Sequence, residues 1–102
     1  AAARMARDDA GLAAAQVAPE RLGVVVGSAM GDINDSIVYL EKLFSRGPAA
    51  ASPLLFPNLV LNAPASYVAM ELGATGVNLT VSHAEISGEQ AVAQGCEAIR
   101  AG

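Results

Sequence analysis

His83 and Glu85 are the residues of this chain best placed to do chemistry. They stand in the segment His83-Ala84-Glu85-Ile86, between a strand pattern and a helix pattern. Before it, Val77, Leu79 and Val81 alternate with Asn78, Thr80 and Ser82, the period of a short strand with one apolar face. After it, Ala91, Val92, Gly95, Cys96, Ala98 and Ile99 recur at helical spacing. Ser87 followed by Gln90 reads as a capping box, so a helix is expected to start there. A side chain at such a turn sits at the positive end of a helix with a rigid strand behind it, the place where α/β enzymes put nucleophiles. The helix end favours a carboxylate at Glu85, and His83, two residues earlier, is expected to share a strand face with it, an arrangement suited to acid–base work. The competing readings are structural: His83 filling space or bonding backbone at the turn, and Glu85 capping a surface helix.

The whole chain limits what this segment can be. At 102 residues and 53% hydrophobic, it has a ceiling of one small domain with a moderate core. It is rich in Ala and Gly and lacks Trp, which favours close backbone packing. The net charge is −4 and the cations Arg4, Arg7, Arg21, Lys42, Arg46 and Arg100 are scattered, so no nucleic-acid partner is expected. Cys96 is the only cysteine, which rules out an internal disulfide framework and any multi-cysteine metal site and fits a reducing, cytoplasmic compartment. At almost three turns into the last helix, it reads as a small buried apolar side chain. No apolar run reaches the roughly 20 residues that span a bilayer, so no membrane partner is expected either. The first residue is not Met and the last helix runs to the final residues, so residues 1–102 read as part of something larger.

In chain order, Ala1 to Ala10 is a good helix former stopped at Gly11, and Ala13 to Pro19 is a connector. RLGVVVG, residues 21–27, is a nearly continuous apolar run of the kind buried on both faces of a layered α/β sheet. A helix is expected from Ile33 to Ser45, with Ile33, Ile37, Leu40 and Phe44 on one side. The Gly27 and Gly31 spacing between them lacks the further glycines of a dinucleotide site and the Gly-Lys-Ser or Gly-Lys-Thr of a P-loop, and no cofactor is expected. Gly47 to Pro57, with Pro48, Pro53 and Pro57, reads as a long loop whose Leu54, Leu55 and Phe56 need covering by another element or a partner chain. Asn58 to Leu72 reads as a second helix, with Pro64 in its first turn, Ala65, Val68, Ala69 and Leu72 as its stripe, and Gly73 as its stop.

The order of these features resembles the amino-terminal half of the β-ketoacyl synthases, the condensing enzymes of fatty-acid and polyketide synthesis. The segments that carry the resemblance are DDAGL, RLGVVVG, SPLLFPN, NAPASYVAMELGATG and GVNLTVSHAEISGEQAVAQGCEAIRAG. The last is similar to the family's stretch around its active cysteine, in which Gly-Pro-Asn leads into a strand, then Ser-Thr-Ala-Cys-Ala-Ser-Gly, then a helix ending in Arg-Ala-Gly. Ser82, Ala84, Ser87 and Gly88 match that motif, His83 takes a Thr position and Glu85 takes the place of the nucleophilic cysteine. The resemblance implies an α/β, thiolase-like layered fold (αβαβα), of which residues 1–102 supply most of the amino-terminal half as one partial domain. It also implies acyl carrier protein as a partner, and a homodimer or a pairing with a ketosynthase-like subunit. The family's remaining catalytic residues, a pair of His or a His and a Lys, belong to its carboxyl-terminal half.

A carboxylate cannot take up an acyl group as a thioester, so the departure at Glu85 opens three readings. One is a subunit without condensing activity that works beside an active ketosynthase, as chain-length factors do. Another is a ketosynthase-like decarboxylase of malonyl groups, which needs only to stabilise the enolate that forms. The third is a small non-catalytic α/β interaction module.

Overall fold

A computed structural model describes residues 1–102. The first helix, α1 (Ala2–Asp9), forms from an Ala-rich run and is followed by Ala10 and by Gly11 at φ 63°, the left-handed stop expected there. An ion pair between Arg4 and Glu71 holds it against a later helix. A 3-10 turn at Pro19–Arg21 then leads into β1 (Val24–Gly27). This strand pairs in parallel with β2 (Asn78–Val81), with Val24 opposite Asn78 and Gly27 opposite Val81. Two further bonds fasten the approaches to the strands, Thr75 N–H to the Pro19 carbonyl at 2.9 Å and Gly76 N–H to the Leu22 carbonyl at 3.0 Å.

The long crossover between the strands carries three helices. The first, α2 (Ile33–Arg46), starts where the apolar stripe does because the Asp32 side chain accepts from the Asp35 N–H at 2.9 Å. The single helix expected over Asn58 to Leu72 is instead two, α3 (Phe56–Leu59) and α4 (Ala63–Leu72). Pro64 is the cause: it has no N–H for the Val60 carbonyl and its ring would crowd that oxygen, so the chain opens at Val60 and restarts at Ala63. Asn58 and Tyr67 tie the pieces together. Asn58 donates to the Asp35 carboxylate at 3.2 Å, and the Tyr67 hydroxyl donates to Asn58 at 2.9 Å. Gly73, at φ 65°, ends α4 as expected.

The two strands lie between α4 and the last helix, α5 (Ser87–Ala101), an α/β layering as expected. The small side chains of α4 allow close approach, and Ala65 and Ala69 pack against Val24 as the only continuous core cluster. On the other side α5 lies mainly over β1. Because α5 is centred there, Val77 and Leu79 stay exposed, and β2 lacks the fully covered apolar face expected of it. The register pairs Thr80 with Val26, so Thr80 shares the face that α4 covers, where its hydroxyl is buried without a hydrogen-bond partner.

Large apolar surfaces remain open. Ile33, Ile37, Leu40 and Phe44, the stripe of α2, are all exposed, and so are Leu54 in the proline-rich loop, at 86%, and Phe56, which the expected loop included but which opens α3. Six residues of 102 are buried, and the radius of gyration is 16.4 Å against about 13 Å for a compact domain of this length. Residues 1–102 produced alone are therefore expected to aggregate or to melt over a broad range. A sharp, reversible, monomeric transition by calorimetry would contradict this.

Candidate functional site

The turn that carries His83 and Glu85 is built on a close contact between β1 and α5. Gly27 lies under the first turn of α5. A Cβ there would collide with the Ser87 carbonyl and stand 2.8 Å from the Gly88 nitrogen. Only a residue without a side chain lets the helix start this near the sheet. Ser28 N–H also donates to the Val81 carbonyl at 2.9 Å, so the end of β2 is fixed at the same level.

From Val81 the chain must reverse into α5 within a few residues. It does so through Ala84 at φ 45°, a left-handed conformation that an L residue adopts at a cost of about 1–2 kcal/mol. A 3-10 turn follows over Ala84–Ile86, in which Ile86 N–H donates to the His83 carbonyl at 3.1 Å. The helix then runs on from Ser87 with Ile86 as its N-cap. Ser87 is thus not the cap of a capping box. It is already helical, and its hydroxyl points back into the turn, accepting from the His83 N–H at 2.9 Å and donating to the Ala84 carbonyl at 2.6 Å. The pattern Ser-x-x-Gln fits the first helical residue as well as the cap, and the tight reversal takes the serine for itself.

Glu85 stands at the tip of this elbow and its side chain is exposed. His83 is exposed as well, and no hydrogen bond or ion pair joins the two. The shared strand face expected for them does not form. The strand ends at Val81, and the backbone at His83 (φ −133°, ψ 52°) and Ala84 breaks the alternation before Glu85 is reached. A groove of about 580 Å³ lies between β1 and the carboxyl-terminal half of α5, lined by Leu22, Val25, Val77, Ala91, Gly95 and Ala98, and neither His83 nor Glu85 borders it. Cys96 is exposed, not buried as expected, because α5 meets the sheet on the side of Ala91. No group of three or more His, Cys, Asp or Glu side chains is arranged to hold a metal ion. No helix is long and apolar enough to cross a membrane.

Two parallel strands between helices, with a strained elbow opening the last helix, define an α/β protein of the layered kind. The chain belongs to the β-ketoacyl synthase family: the family described as "Beta-ketoacyl synthase, N-terminal domain" matches residues 1–102. That membership implies the thiolase-like fold, with which the helix and strand arrangement is consistent. The chain is similar to 3-oxoacyl-[acyl-carrier-protein] synthase 2 of Staphylococcus aureus, 29% identical over 101 residues, 99% of this chain and 25% of that protein. It is also similar to the 3-oxoacyl-[acyl-carrier-protein] synthase 2 of Vibrio harveyi, 31% identical over 88 residues, 86% of this chain and 21% of that protein. The chain thus spans about a quarter of the length of the curated relatives it matches.

The strain at Ala84 predicts a gain on relaxing it. Ala84→Gly in the complete protein is expected to raise stability by up to about 1 kcal/mol, read from the denaturant midpoint. A lowered midpoint would contradict the left-handed assignment.

Proposed function

We propose that this chain is part of a ketosynthase-like protein of fatty-acid or polyketide synthesis that lacks condensing activity and serves as the chain-length-factor-like partner of an active ketosynthase. In this reading residues 1–102 supply part of the amino-terminal half of a thiolase-fold unit, about a quarter of the whole length, and acyl carrier protein delivers the chains on which the pair works. What supports it is the carboxylate of Glu85 at the elbow tip, which the sequence resemblance sets at the place of the family's cysteine. Transfer of an acyl group from a thioester to Glu85 would give a mixed anhydride. That product is uphill of the thioester, so the elbow offers no stable loading point. The open apolar surfaces at Phe44, Leu54 and Phe56 need a cover, since an uncovered patch of this kind is costly in water, and the rest of the complete protein or a partner subunit would supply it. A homodimer would use them equally well.

A second reading is favoured by the accessibility of both His83 and Glu85 at one turn. A malonyl thioester can lose carbon dioxide with only its enolate stabilised, and no covalent acyl step is needed. Either residue would then act on a bound malonyl group.

One experiment separates the two. The complete protein is mixed with malonyl carrier protein, alone and with an active ketosynthase. The partner reading expects no carbon dioxide from the protein alone, and a change in product length or yield when the ketosynthase is present. Carbon dioxide released by the protein alone, and lost in Glu85→Ala, would replace that reading with the decarboxylase.

A further inference from the structure

Ser87 is the one polar residue this fold buries, at 4% exposure. Both of its side-chain hydrogen bonds run backwards, from the His83 N–H and to the Ala84 carbonyl. These are the two residues that immediately precede Glu85, and the second of them holds the left-handed φ of 45°. The backbone that carries the hydroxyl is packed closely, because the Ser87 carbonyl is pressed against Gly27 with no room for a Cβ between them. A group on the helix thus holds a strained pair in the turn, and the direction in which residue 85 leaves the tip follows from that pair.

Resting on the reading of the elbow given above, we infer that Ser87 is a positioning residue whose hydroxyl latches the turn so that side chain 85 is presented at the positive end of α5. Without the hydroxyl, Ala84 has no side-chain partner to hold it in a costly conformation and the backbone relaxes toward ordinary φ values. Residue 85 then swings away from the helix end, whatever its side chain is. The latch therefore serves a carboxylate and a thiolate alike, and its existence does not depend on whether the protein condenses, decarboxylates or assists a partner.

The test uses the complete protein with Glu85→Cys and Cys96→Ala, so that a reporter thiol stands at the elbow tip and the exposed one is removed. The rate of alkylation at position 85 by iodoacetamide is followed by peptide mass spectrometry at neutral pH, where a thiol held at a helix end is ionised to a greater extent than a free one and so reacts faster. Adding Ser87→Ala is expected to slow labelling at least about fivefold, the scale of one or two lost hydrogen bonds, and Ser87→Thr to restore it to within about twofold. Equal rates in all three proteins overturn the inference. So does a Ser87→Thr protein that melts with its parent yet labels as slowly as Ser87→Ala. Where a variant melts early, the His83 amide of the unaltered protein decides: protection from hydrogen exchange supports the latch, and exchange at the rate of an unfolded chain refutes it. None of these readouts involves carrier protein or a partner subunit, so failure of the latch and failure of the functional reading are told apart.

Discussion

The approach of α5 to β1 at Gly27 is the constraint on which the rest of the site depends. With the Ser87 carbonyl seated where a side chain would otherwise be, the helix begins directly above the strand end. The chain leaving β2 then has no room for a relaxed loop. It reverses through a left-handed alanine and one 3-10 turn, and the serine that sits on the glycine supplies the hydroxyl that holds that turn. Close packing in this part of the molecule, made possible by small residues, produces local backbone strain. The strain in turn produces a projecting side chain at the positive end of a helix.

What projects there is a carboxylate. The same elbow can carry a thiolate, and a thiolate accepts an acyl group from a thioester at little cost, whereas a carboxylate does not. In the proposed function, that difference at Glu85 is what separates this turn from the family's loading site. The other notable property of the chain is how much apolar surface it leaves open along α2 and the proline-rich loop. A radius of gyration well above that of a compact domain expresses the same fact: α2 and α3 extend away from the sheet instead of folding over it.

Much of the architecture was legible in the sequence because its signals are local. The run of valines ending in Gly27 marks a strand, the stripe from Ile33 to Phe44 marks a helix, and Gly11 and Gly73 mark helix stops. The break between α3 and α4 was harder to read, since Pro64 is tolerated in a first turn and the pattern alone does not say where that turn lies. At the site, the strand, the turn and the helix were readable in order, but the role of Ser87 was not. Its hydroxyl answers to the conformation of Ala84, and nothing about an alanine in a sequence announces a positive φ. The exposure of Cys96 and Leu79 escaped for a related reason. Periodicity shows which residues share a face, and only the placement of α5 over β1 decides which of those faces is covered.

In the proposed function the elbow keeps the family's backbone and lacks only its thiol. Intact-mass and peptide mass spectrometry after incubation with acyl carrier protein tests it most directly, on the complete protein and on its Glu85→Cys variant. No added acyl group is expected on the unaltered protein, and an acyl group is expected on the variant, confined to the peptide that carries position 85. An acyl group on the unaltered protein, or acylation of the variant at Cys96 in place of the elbow, would contradict it.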